Sequence, residues 1–217
     1  MAALDLEEQE QLAQIKAWWQ RYGNHVLTAV TMLFLGIAGY NGWNYYQRSQ
    51  SVAAAQVFEG VQKLASGGDA KKVGEASKAL ADQYPRSTLA AMSNLIAARV
   101  SFEANDLAAA STQLLWVVNS GRDEDLKHVA RIRLAGIMLD QKRFDEAIKL
   151  LDTTHPAQFT AQYADRRGDV LFAMGKLADA RDAWQKALAA SGTASTLKAA
   201  LEFKLEMAGA SPTPSKS

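Results

Sequence analysis

His25, His128 and His155 are the first side chains to question, because a neutral imidazole is both a common metal ligand and a common general base. No two of them stand at metal-ligand spacing, and no H-E-x-x-H or comparable pattern surrounds them. His128 follows the acidic triplet Asp123-Glu124-Asp125, which could be imagined as a cation site but reads better as a capped helix start, where carboxylates meet the positive end of the macrodipole. Serines are plentiful, yet none lies in a G-x-S-x-G elbow. Ser195-Thr196-Leu197-Lys198 is S-x-x-K by letters alone, on an Ala-rich terminal stretch, and Ser77-Lys78 adds no activating base. Gly67-Gly68-Asp69 and Gly121-Arg122 read as turns, since neither opens a Walker-type phosphate cradle. The chain has no cysteine, which excludes disulfides, thiol catalysis and Cys-based zinc sites. With 24 Lys plus Arg against 23 Asp plus Glu in 217 residues, the charge balance offers no footprint for nucleic acid. The sequence therefore predicts a non-enzyme without cofactor or metal, whose chemistry is that of surfaces.

The elements that would present such a surface are helices. Beyond Gln47 apolar residues recur at spacings of three and four, as in Leu107, Ala110, Leu114, Val117 and Val118. Turn signals at Ser66-Gly67-Gly68-Asp69, Tyr84-Pro85, Asn105-Asp106, Asn119-Ser120-Gly121, His155-Pro156, Gly175-Lys176 and Ser191-Gly192 punctuate residues 47–208, which are read as nine helices. Three segments superimpose without gaps, starting at Ala98, Ala135 and Gly168. Each opens on a small residue, places a large one nine positions later (Leu107, Phe144, Leu177), an alanine three further on (Ala110, Ala147, Ala180), and a bulky residue four after that (Leu114, Leu151, Trp184). Two antiparallel helices approach closely only where small side chains face each other, and the large residue behind the turn is expected to close the hairpin end. This rhythm resembles the tetratricopeptide repeat, although the consensus aromatics of the first helix are missing and the turn glycine survives only as Gly175.

An array of such hairpins offers a concave face lined by successive first helices, the surface on which solenoids bind extended peptides or partner helices. Repeat register predicts that Arg99, Phe102, Ile132, Leu139, Gln162, Asp165, Asp169 and Phe172 point there. Taken singly, the apolar members read equally as core and the charged ones as solvated surface.

Ahead of the array, twenty-six consecutive positions between Arg21 and Arg48 carry no Asp, Glu, Lys or Arg. Val26–Tyr46 supplies the roughly 20 apolar helical residues that a bilayer core requires. Seven of the eleven Trp and Tyr bracket the stretch: Trp18, Trp19 and Tyr22 before it, and Tyr40, Trp43, Tyr45 and Tyr46 after it, as interfacial belts do. A buried soluble helix seldom runs so long without charge. A cleaved signal peptide is disfavoured by the late start after Asp5, Glu7, Glu8 and Glu10. Flanking charge is nearly balanced, so orientation rests on a short tail against a large domain, which fits a signal anchor. Gly36, Gly39 and Gly42 would let another membrane helix approach closely, or simply reflect the frequency of glycine in such helices.

The order of parts, with LEEQEQLAQIKAWWQRYGN (Leu6 to Asn24), GYNGWNYYQ (Gly39 to Gln47), KRFDEAIKLLD (Lys142 to Asp152) and GDVLFAMGKLADARDAWQKAL (Gly168 to Leu188), resembles the YfgM family, the ancillary subunits of the bacterial SecYEG translocon. The resemblance covers essentially the whole chain. It implies an all-α inner-membrane protein with a cytoplasmic tail (1–24), one transmembrane helix (25–46), a tetratricopeptide-like periplasmic domain (47–208) and a disordered tail (209–217). It further implies the SecYEG translocon, the periplasmic chaperone PpiD, exported polypeptides and membrane lipid as partners. A rival expectation is a membrane-tethered regulator, in which the tail or the domain restrains a stress-response protein.

Overall fold

The computed structural model describes residues 2–192 and 196–209. Ser195 of the S-x-x-K match and the tail from 210 to 217 lie outside the described residues. The chain divides into two compact units between Val52 and Ala53.

Helix α1 (Ala2–Ser66) supplies the first unit and contributes its residues from Ala53 onward to the second. In the first unit Leu33, Phe34 and Leu35 are consecutive and all exposed, so apolar surface points in directions about 100° apart. The hydroxyls of Thr28 and Thr31 donate back to the carbonyls of Asn24 and Leu27 at 2.8 Å, which satisfies them within the helix as a hydrocarbon surrounding would require. Aromatic rings gather at both ends of the apolar run, Trp18 at 5.8 Å from Tyr22 and Trp43 at 6.3 Å from Tyr46. The helix is long and apolar enough to cross a membrane.

The second unit continues with α2 (Ala70–Gln83), α3 (Thr88–Glu103), α4 (Leu107–Ser120), α5 (Glu124–Asp140), α6 (Phe144–Leu151), a 3₁₀ turn (Ala157–Phe159), α7 (Thr160–Ala173), α8 (Leu177–Ala190) and α9 (Thr196–Met207). Counting the end of α1, the described residues form the nine helices expected and contain no strand. Helix starts follow from capping: Asp69, Asp106 and Asp123 accept from the amides of Lys72, Ala109 and Leu126. The acidic triplet is thus a capped helix start, with Glu124 also pairing Lys127 at 2.7 Å.

The three repeated segments turn in the same way. Asn105, Lys142 and Gly175 stand seven positions after Ala98, Ala135 and Gly168, and all three adopt left-handed backbone, with φ of 60°, 60° and 77°. The next amides, of Asp106, Arg143 and Lys176, reach back to the carbonyls of Ser101, Met138 and Leu171 at 2.8–2.9 Å, closing a Schellman-type end on each first helix. The turn has outlived its glycine, and Lys142 bears the Cβ strain. Lys142→Gly is expected to raise stability by about 1 kcal/mol, read as a higher denaturant midpoint; an unchanged midpoint would mean that the turn relaxes elsewhere.

Ala110, Ala147 and Ala180 are fully buried, which is what close approach of the paired helices demands. The bulky residues Leu114, Leu151 and Trp184 are buried too. Leu107 and Phe144 pack against the main core, as expected of residues closing a hairpin end. Leu177 does not: it is 45% exposed. The helix after the last repeat, α9, packs through Leu201 and Leu205, with Ala208 just beyond it, and leaves Leu177 uncovered by that cluster.

Candidate partner-binding groove

First helices α3, α5 and α7 belong to successive hairpins, and the side chains between them form a pocket of about 260 Å³. Arg99 and Phe102 come from α3, Arg133, Gly136, Ile137 and Asp140 from α5, and Arg166 from α7, with Leu114 behind. Phe102 is 47% exposed there. Register explains the geometry: Arg133 and Arg166 each precede their repeat's small residue by two positions, and equivalent helices bring both guanidiniums to the one pocket. Gly136 is the clearance for the second. A Cβ at position 136 would lie 3.2 Å from Cζ of Arg166.

The eight residues expected on the concave face fall into three groups. Arg99 and Phe102 line the pocket. Ile132 and Leu139 are half-buried against the core, and Gln162 is exposed on α7. Asp165 and Asp169 are engaged from within the chain by Lys204 of α9, at 2.5 and 2.6 Å. Burial raises the Asp165 carboxyl above its ordinary range, opposed by the Lys204 hydrogen bond and reinforced by the charge of Asp169. Asp169 also accepts from Trp184 Nε1 at 3.2 Å and lies 3.4 Å from Arg166 Nη1. Phe172, at the register position of Phe102, is partly exposed with its ring 5.5 Å from Trp184. Arg133, Gly136 and Arg166 went unremarked in the sequence; the available signal was the register position that Arg133 and Arg166 share.

The histidines gather at a different place. His128 Nδ1 is 2.8 Å from the Tyr163 hydroxyl, and the His155 ring stacks on Tyr163 at 4.3 Å. Burial pushes the His128 pKa down, helped by Arg131 and His155 and opposed by Glu124 and Asp125. The trio fastens the Pro156 loop to α5. Among the described residues no group of three or more His, Cys, Asp or Glu could hold a metal ion. Gly36, Gly39 and Gly42 lie in the first unit, where an added Cβ would meet no atom of the described residues within 4 Å.

The fold defines a helical-hairpin repeat protein with a long apolar helix ahead of the repeats. A family model described as a tetratricopeptide repeat-like domain matches residues 16–210. The ancillary SecYEG translocon subunit of Neisseria gonorrhoeae is 30% identical over 205 residues, covering 94% of this chain and 98% of the relative. The protein of that name from Escherichia coli K12 is 28% identical, covering 92% of this chain and 94% of its own, and that from Haemophilus influenzae 26%, covering 85% and 90%. No solved structure matches the chain significantly. The chain belongs to the YfgM family of tetratricopeptide-like ancillary SecYEG translocon subunits.

Proposed function

We propose that this chain is an inner-membrane accessory subunit of the SecYEG translocon, its amino terminus cytoplasmic and its repeat domain periplasmic, where the groove binds a chaperone of the PpiD kind or newly exported polypeptides. The observation that carries this reading is the joining, in one chain, of an uncharged membrane-length segment to a repeat array whose concave pocket keeps Arg99 and Phe102 available to a partner. Anchoring confines the groove to the neighbourhood of its partners, and the resulting effective concentration lets weak contacts suffice. Gly36, Gly39 and Gly42 offer a close-packing face to a neighbouring membrane helix.

Affinity purification of the full-length chain from mildly solubilised membranes, with residues 25–46 deleted in the control, tests this. Translocon subunits and a periplasmic chaperone are expected with the anchored form only. Recovery of a cytoplasmic regulator in their place would overturn it.

A further inference from the structure

The geometry points to the pocket between α3, α5 and α7 as a receptor for an extended acidic segment, with Asp or Glu side chains on the guanidiniums and an intervening apolar side chain against Phe102. This inference rests on the groove being a partner-binding surface and adds the chemistry of what it takes.

Three guanidiniums line the pocket against one carboxylate, Asp140. Each has donors to spare. Arg99 uses only Nε on Glu103, at 2.7 Å. Arg166 has a buried Nε with no hydrogen-bond partner and a single long contact, Nη1 to Asp169 at 3.4 Å. Arg133 makes no ion pair among the described residues, and it is disfavoured as an ion by its surroundings and then by Arg99. The unpaired Arg133 guanidinium is repelled by Arg99, and a ligand carboxylate relieves both that repulsion and the unmet donors of the three arginines through forked hydrogen bonds.

Spacing selects the form of the ligand. Packed helices stand about 8–10 Å apart, and an extended chain of the polyproline II type rises about 3.1 Å per residue with three residues per turn. Carboxylates three positions apart in such a segment therefore lie on one side, about 9 Å apart, and meet the arginines of successive helices. An apolar residue between them lies against Phe102, with Leu114 and Ile137 in the same lining.

The test is fluorescence anisotropy with the full-length chain in uncharged phosphatidylcholine nanodiscs. The probe is a fluorescein-labelled, carboxy-amidated peptide with Glu at every third position among Leu, Ala and Ser. A second peptide carries Gln in place of Glu, and a third is the Gln peptide with a free terminal carboxylate. The Glu peptide is expected to bind about tenfold tighter than the Gln peptide, and Arg133→Gln to erase that preference. Gly136→Ala should weaken Glu binding several-fold by displacing the Arg166 guanidinium, while leaving the melting temperature unchanged or higher, since alanine favours a helix. Equal binding of Glu and Gln peptides, both lost in Phe102→Ala, would overturn the acidic specificity and leave the groove reading standing. A Glu preference surviving Arg133→Gln and Gly136→Ala would place the acid site elsewhere. Equal affinity for the free-carboxylate Gln peptide would make the ligand a chain end and overturn the side-chain assignment. Failure of every peptide to bind would remove both the assignment and the groove.

Discussion

Gly168→Ala is expected to destabilise the repeat unit by about 3 kcal/mol, a fall of about 6–12 °C in melting temperature for a unit of this size. The backbone raises no objection, because position 168 is an ordinary turn of α7 and alanine is the better helix former by about 1 kcal/mol. Packing decides the sign. A Cβ at 168 would lie 2.5 Å from Cδ1 of Trp184, and the indole has nowhere to go: it is fully buried, bonded through Nε1 to Asp169, and faced by Lys204 at 5.9 Å. The equivalent pairs in the earlier repeats are Ala98 with Leu114 and Ala135 with Leu151, all four in one core cluster. Size is therefore exchanged across the hairpin, glycine for tryptophan and alanine for leucine. Trp184→Leu alone should cost about 2–3 kcal/mol through the cavity it leaves. Gly168→Ala with Trp184→Leu recreates the earlier pairs and should cost less than the sum, with a coupling of at least about 1 kcal/mol. Near-ultraviolet circular dichroism of the full chain in detergent follows the repeat unit through the melt, because a helix held in the micelle would dominate the far-ultraviolet signal. Strict additivity of the two substitutions, or a Gly168→Ala variant as stable as the parent, would sink the idea that this pair sets the hairpin spacing.

That exchange shows what the sequence made legible. Small and large residues recurring in fixed register identified the hairpins, because helix packing constrains volume at those positions whatever the chain does elsewhere. The turn was harder to read at Lys142, which holds the left-handed conformation that Asn105 and Gly175 advertise. Long-range polar pairing was not legible. Lys204 reaches Asp165 from 39 residues away, and no local pattern marks a lysine of a terminal helix as the partner of two carboxylates on α7. The pocket arginines were hidden differently. Arg133 and Arg166 share a register position, but it lies two residues ahead of the aligned segments and is Ile96 before the first of them, so the repeat comparison alone drew no line through them. Leu177 misled because register predicts burial only where a following element covers the site.

Leu35→Arg is expected to shift the chain from membrane to soluble fraction by about two orders of magnitude. The Val26–Tyr46 segment holds Thr28, Thr31, Asn41 and Asn44, so its margin for insertion is narrower than that of an all-leucine span. Leu35 stands at its centre, and a guanidinium there costs about 2.5–3.5 kcal/mol on insertion, besides the loss of the leucine's own contribution. From mid-segment the arginine stem reaches an interface only by thinning the bilayer. Val52→Arg, beyond the second aromatic belt and exposed, supplies the same charge and should leave extraction unchanged. Alkaline carbonate extraction reads the difference, and protease resistance of the repeat unit confirms that it stays folded. Carbonate-resistant Leu35→Arg would defeat the single-span reading. If instead the variant is released with its groove intact, it should keep the peptide preference given by Arg133 and lose the membrane partners. That combination separates the two contributions proposed above, selection of the ligand by the pocket and local concentration by the anchor.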